Sequence, residues 1–282
     1  MADNDPRSSV FMSVEDLSAH LENPKLVLLD IRQSDGADGV GDYLARHIPG
    51  AVYVEFETEL AGEVQGFSGR RPLPEIAVLQ RDLRRWGIDE DSAVVIYDSA
   101  KGAQAARAWW VLRWAGVANV RLLDGGLDAW IGSGRPTTAE VSLPRRGKVV
   151  VKGGHLAVLD ADDAAAIARA SVLVDARGAA AYRGEEGAPG GHIPGAINLP
   201  TSENLDSRTG LLLEPEVLQA RFAKAGVDGS QAFGVYCGGG VAAAHEIAVL
   251  ASLGIEAALF PGSFSAWSSD PSRPIATGDE PG

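Results

Sequence analysis

Cys237 is the only cysteine in the 282-residue chain, and it ends an apolar run that opens into glycine. The segment reads Phe233-Gly-Val-Tyr-Cys237-Gly-Gly-Gly-Val-Ala-Ala-Ala-His245-Glu-Ile-Ala-Val-Leu250. A short β-type stretch stops at the cysteine, three glycines follow, and an Ala-rich helical pattern begins at once. This order predicts a thiol in a cradle of backbone N–H groups at a helix N-terminus. The positive end of the helix dipole and its free N–H donors favour an anion there, a thiolate included. Gly238, Gly239 and Gly240 can take φ > 0, which lets the amides turn inward. A lone cysteine elsewhere is usually a small buried hydrophobe. The strand–Cys–Gly-Gly-Gly–helix order is what favours a reactive one.

The histidines offer less. His47 and His192 stand in matched turns, which predicts a structural N–H to carbonyl bond rather than catalysis. His245 lies eight residues past Cys237, about 12 Å along a helix, too far for a direct base. His20 and His155 belong to no constellation, and neither a metal site nor a cofactor motif is readable. Trp109, Trp110, Trp130 and Trp267 read as packing residues.

The elements that must position the cysteine follow from hydrophobic pattern. In the second half, strands are expected near 172–175, 196–199, 233–236 and 257–260, with helices near 161–170, 215–225 and 241–252. Ser13-Val-Glu-Asp-Leu and Asp160-Ala-Asp-Asp-Ala have the form of capped helix starts. Apolar strands alternating with helices predict an α/β fold whose mostly parallel sheet carries helices on both faces. Ligands bind such sheets at the carboxyl ends of strands, where Cys237 falls.

The pattern occurs twice. Val27-Leu-Leu-Asp30-Ile-Arg32 matches Val172-Leu-Val-Asp175-Ala-Arg177, and His47-Ile-Pro-Gly-Ala51 matches His192-Ile-Pro-Gly-Ala196. Val94-Val-Ile-Tyr97-Asp98 matches Phe233-Gly-Val-Tyr236-Cys237, and Leu123-Asp-Gly-Gly-Leu-Asp-Ala-Trp130 matches Phe260-Pro-Gly-Ser-Phe-Ser-Ala-Trp267. Four blocks in one order imply duplicated domains, each large enough for its own core. The Gly- and Pro-rich stretch 132–148 has linker composition. The expected division is 1–131, a linker over 132–148, and 149–282.

Composition excludes some functions. With 38 acidic against 25 basic residues, the net charge of −13 argues against nucleic-acid or anionic-membrane partners. No apolar run approaches membrane-spanning length, and the polar N-terminus lacks a signal-peptide core. A single cysteine excludes an intramolecular disulfide framework and fits the cytoplasm. An anionic substrate would need local positive potential.

Together these blocks resemble the tandem-domain rhodanese family, the thiosulfate and 3-mercaptopyruvate sulfurtransferases. The carriers are both HIPGA blocks, the segments ending at Trp130 and Trp267, Ala108-Trp109-Trp110, the loop Cys237–Ala242 and the Ser269–Pro274 tail. The resemblance covers nearly the whole chain. It implies two rhodanese-like domains, the first inactive because Asp98 stands at the cysteine position. It also implies that the Cys237 thiolate takes sulfur from thiosulfate or 3-mercaptopyruvate, becomes a persulfide, and passes the sulfur to cyanide or a thiol. The amides of Gly238, Gly239, Gly240, Val241 and Ala242 would hold the persulfide charge.

This chain departs from the family at informative places. Thiosulfate enzymes resemble Cys-Arg-Lys-Gly after the strand, and mercaptopyruvate enzymes resemble Cys-Gly-Ser-Gly-Val-Thr. Here Gly239 replaces the serine and Ala242 the threonine, so a Ser-His-Asp relay is missing. Arg71, in Arg70-Arg71-Pro-Leu-Pro74, stands where relatives often have histidine, and Ala181 where they have a substrate-binding arginine. Arg71 and Arg183 are therefore the expected anion-binding residues. The alternative reading is a low-activity or non-enzymatic sulfur-carrier or binding module. A cysteine phosphatase or arsenate reductase would need arginine six residues after the cysteine, where Ala243 stands.

Overall fold

Short runs of aliphatic and β-branched residues form nine parallel strands in the computed structural model, which describes residues 5–33 and 39–282. Met1–Asn4, part of the polar N-terminus read above, lie outside the described residues. Strands β1 (Phe11–Met12), β2 (Leu26–Arg32), β3 (Val52–Glu55), β4 (Ala93–Tyr97) and β5 (Val120–Leu123) make one sheet in the order β1-β5-β4-β2-β3. Strands β6 (Leu173–Asp175), β7 (Ile197–Asn198), β8 (Gly234–Tyr236) and β9 (Ala258–Leu259) make another, ordered β7-β6-β8-β9. A lone parallel bridge from Val158 to Leu259 stands where β1 meets β5 in the first sheet. The four expected strands of the second half are all present. So are helices Ala161–Ala170, Pro215–Lys224 and Ala242–Ala251.

Val94, Val95, Ile96 and Tyr97 are each fully buried. Successive strand residues point to opposite faces, so both faces of the first sheet are covered. Helix starts are specified locally. Ser13 caps Val14–His20 by accepting from the Asp16 amide, and Asp160 forms a reciprocal capping box with Asp163.

The chain divides into two compact units. Unit 1 comprises Met1–Gly62, Leu73–His155 and Thr209–Leu211; unit 2 comprises Glu63–Pro72, Leu156–Arg208 and Leu212–Gly282. Two features differ from a simple cut at a linker. The stretch 132–148 is not a free tether, because its end is hydrogen-bonded within unit 1. Gly147 N donates to Arg84 O at 2.7 Å, Lys148 N to Asp89 Oδ1 at 2.9 Å and Val149 N to Ile88 O at 3.2 Å. A Cβ at Gly147 would fall 2.0 Å from Ile88 O, so the glycine there permits backbone contact rather than flexibility. Second, Glu63–Pro72 comes from the first half of the sequence yet belongs to unit 2.

Candidate active site

Cys237 immediately follows β8 and is 2% exposed. The following turn delivers the chain to helix Ala242–Ala251, with Val241 at its N-cap. Gly240 N donates to Cys237 Sγ at 3.1 Å. Of the three loop glycines, Gly240 alone has positive φ, at 78°. The expectation that all three use that freedom is therefore corrected: a side chain at Gly240 would strain the backbone, whereas Gly238 and Gly239 do not take positive φ and instead face arginine.

A Cβ on Gly238 would lie 3.0 Å from Arg70 Nη2 and 3.9 Å from Arg177 Cδ. On Gly239 it would lie 3.4 Å from Arg71 Nη1 and 3.6 Å from Arg70 Nε. Guanidinium groups thus lie directly over the first two residues of the loop. Glu63–Pro72 reaches this place because Gly69 takes φ +81° and approaches so closely that its Cβ would be 2.4 Å from Gly262 O. Arg70 N then donates to Ser265 Oγ at 3.0 Å.

The same short helix, Ser263–Trp267, fixes the loop from behind. Phe264 N donates to Cys237 O at 2.9 Å and Ser265 N to Gly238 O at 3.1 Å. Ser263, fully buried with φ +54°, accepts from Cys237 N at 3.2 Å and holds its hydroxyl 4.0 Å from Sγ. That hydroxyl donates to Phe260 O at 2.8 Å. Sequence reasoning passed over Ser263, although a signal existed: the matched block of the first half has Gly126 there, also at positive φ. A non-glycine residue held in that conformation points to a side chain in use.

The arginines of the second half divide by partner. Arg177 donates from Nε and Nη2 to Asp175 and from Nη2 to Gly191 O at 2.6 Å, and its guanidinium lies 4.3 Å from the Phe264 ring centroid. Arg183 is engaged by carboxylates: Nε and Nη2 each donate to Glu185 at 2.7 Å, and Nη1 is 3.7 Å from Asp279. The structure thus brings Arg71 to the cysteine loop, adds Arg70, which sequence reasoning did not select, and holds Arg183 in ion pairs.

Both HIPGA histidines serve turns. His47 Nδ1 faces Tyr43 O at 2.6 Å and His192 Nδ1 faces Tyr182 O at 2.8 Å, each ring stacked on its tyrosine. Unit 1 has a cradle of similar design around Asp98. Its Oδ1 accepts from Ala100 N and Gly102 N, and its Oδ2 from Ala105 N, all at 2.8 Å. Burial pushes the Asp98 carboxyl up, and these amides pull it back.

Comparison with known proteins agrees with this duplicated geometry. The rhodanese-like domain profile matches residues 13–133 and again 160–270. The chain is 43% identical over 282 residues to SseB of Mycobacterium tuberculosis, assigned as a thiosulfate sulfurtransferase, covering 96% of this chain and 98% of that one. It is 40% identical over 288 residues to a Pseudomonas aeruginosa protein assigned as a 3-mercaptopyruvate sulfurtransferase, covering 96% and 99%. The crystal structure of SseA, a 3-mercaptopyruvate sulfotransferase of Escherichia coli, superposes with a TM-score of 0.80 at 29% identity, covering 90% of this chain and 98% of that one.

Proposed function

Because the chain belongs to the rhodanese family and is a sulfurtransferase, we propose that Cys237 is its nucleophile and carries the transferred sulfur as a persulfide. The observation that supports this most directly is the Gly240 amide aimed at Sγ in a strand–loop–helix turn. An N–H donor and a helix N-terminus stabilise negative charge on sulfur without reorganising during the reaction. Ser263 holds the Cys237 backbone, so the thiol keeps its aim.

The donor is a small anion bearing a sulfane sulfur or a thiol. With thiosulfate, the Cys237 thiolate attacks the outer sulfur. The donor S–S bond breaks, its electron pair leaves on sulfite, and the enzyme keeps Cys–S–S⁻. Cyanide or a thiolate then attacks the terminal sulfur, which regenerates the Cys237 thiolate. With 3-mercaptopyruvate the leaving group is the pyruvate enolate, which needs a proton. Gly239 and Arg71 stand where the family's serine and histidine would belong to the relay. A free thiolate needs a reducing compartment, which favours the cytoplasm. Among the described residues, no helix is long and apolar enough to cross a membrane.

Intact-mass measurement after exposure to donor tests this reading. Wild-type protein should gain the mass of one sulfur, and cyanide should remove it as thiocyanate. Cys237→Ser should do neither; sulfur transfer by that variant would exclude the mechanism.

A further inference from the structure

We propose that Arg70 is the donor-specificity residue of this site, and that it selects a compact dianionic donor of the thiosulfate type over 3-mercaptopyruvate. The inference rests on Cys237 being the nucleophile.

The loop itself carries no cation between Cys237 and Ala242. The charge arrives from a distant segment. Arg70 Nη2 lies 3.0 Å from the place a Cβ on Gly238 would take, and its Nε lies 3.6 Å from the place of a Cβ on Gly239. The two glycines leave their side-chain space to the guanidinium. A Cβ at 238 would press on the guanidinium tip and make it give by a few tenths of an ångström.

The placement is held through backbone. The Cys237 and Gly238 carbonyls accept from Phe264 and Ser265, and the Ser265 hydroxyl accepts from Arg70 N. Gly69 closes against Gly262 in the same contact. Nucleophile loop, helix start and arginine therefore form one connected hydrogen-bonded unit.

Charge also sets Arg70 apart. Arg177 is paired with Asp175, and Arg183 with Glu185 and Asp279. Among the described residues, no carboxylate pairs with the Arg70 side chain, in a chain with 38 acidic residues. An exposed guanidinium without an internal anion, on a backbone anchored beside the cysteine loop, has its bidentate fork available to an oxyanion.

Geometry favours the compact donor. Arg70 covers the residues directly after Cys237, so it meets oxygens two bonds beyond the attacked sulfur, as in a thiosulfate sulfonate. The carboxylate oxygens of 3-mercaptopyruvate lie four bonds from its sulfur. Sulfite leaves as a stable anion and requires no relay. A guanidinium bridging its oxygens stabilises the charge that grows as the S–S bond breaks.

Arg70→Ala and Arg70→Lys, assayed with both donors in the full chain, test the assignment. Arg70→Ala should lower kcat/KM for thiosulfate by tenfold or more, with kcat falling as well as KM rising, and change that for 3-mercaptopyruvate by less than threefold. Arg70→Lys should recover part of the loss, because a point charge replaces the fork. An unchanged donor ratio in Arg70→Ala, or an equal loss for both donors, would overturn the assignment while leaving Cys237 in place. Failure of the wild type to take up sulfur from either donor would overturn the nucleophile as well.

Discussion

Asp98 and Cys237 occupy one place in two copies of a turn, and their surroundings explain why only one could serve as a nucleophile. Three amides close on the Asp98 carboxylate at 2.8 Å, so the unit 1 cradle is filled by its own chain. Asp98→Ala would leave those buried donors unpaired. It should cost about 1–3 kcal/mol of stability, read by chemical denaturation, while sulfur uptake at Cys237 stays at wild-type level. Within the Cys237 loop the glycines should respond unequally. Gly240→Val forces a β-branched residue to φ 78° and misdirects the amide that meets Sγ. A tenfold or greater fall in kcat/KM is expected, about 1.4 kcal/mol of transition-state stabilisation. Gly239→Ala places its Cβ 3.4 Å from Arg71 Nη1, an ordinary contact distance, and should be tolerated within threefold. Equal effects of the two substitutions would show that the Gly240 conformation is not what matters.

At the scale of elements, helix Ala242–Ala251 carries the loop at one end and a buried polar group on its flank. His245 Nδ1 lies 2.7 Å from Thr201 Oγ1, while Glu246 accepts from Asn204 Nδ2 at 2.6 Å and lies 3.5 Å from Arg221 Nη1. These contacts tie Thr201–Asn204 and Pro215–Lys224 to the loop-bearing helix. Burial raises the Glu246 carboxyl from 4.5 to about 7, with Arg221 opposing. A folded value above the unfolded one gives stability that is present below pH 4.5 and lost as pH rises through about 7. Burial lowers His245 from 6.5 to about 4, so its contribution is present above pH 6.5 and lost as pH falls toward about 4. Where the windows overlap the two slopes oppose, each at most ~1.4 kcal/mol per pH unit. Glu246→Gln removes one of them. Its stability relative to wild type should therefore grow as pH rises from 4.5 to 7, as followed by thermal melts. A constant difference across that range would reject the titration of Glu246.

The strands and caps around this helix were legible because each is specified by a few adjacent residues. Asp160 and Asp163 announce their own capping box, and the run Phe233–Tyr236 ends where β8 ends. The cradle could be read because strand, cysteine, glycines and helix are contiguous. Arg70 was not legible, since nothing local distinguishes it from Arg71 beside it. Its role comes from Gly69 meeting Gly262, a contact between distant parts of the chain. Arg183, whose sequence position suits an anion site, pairs with Glu185 two residues on, a contact that the anion-site reading did not anticipate. The polar stretch 132–148 reads as a linker by composition, which does not show that the amides of Gly147 and Lys148 find partners at Arg84 and Asp89.

For the molecule as a whole, duplication left two similarly ordered sheets, and the excursion Glu63–Pro72 is where the first half of the sequence serves the second unit. The excursion closes on itself within unit 1, because a Cβ on Gly62 would lie 2.5 Å from Leu73 O. Its ends are thus already adjacent, and the segment carries exposed Val64 and Phe67 rather than core residues. Deleting Glu63–Pro72 and joining Gly62 to Leu73 should leave both sheets intact, since no strand lies in the segment. Loop closure changes only slowly with length, so the entropic effect is small. What the deletion removes is the Gly69–Arg70–Arg71 contact over the cysteine loop. The deleted protein should keep wild-type circular dichroism and still be alkylated at Cys237, yet lose at least as much kcat/KM for thiosulfate as Arg70→Ala. Adding Arg70→Ala to the deletion is impossible by construction, so Cys237→Ser provides the zero-activity reference. Undiminished thiosulfate turnover after the deletion would mean that the second half of the sequence binds the donor without Glu63–Pro72.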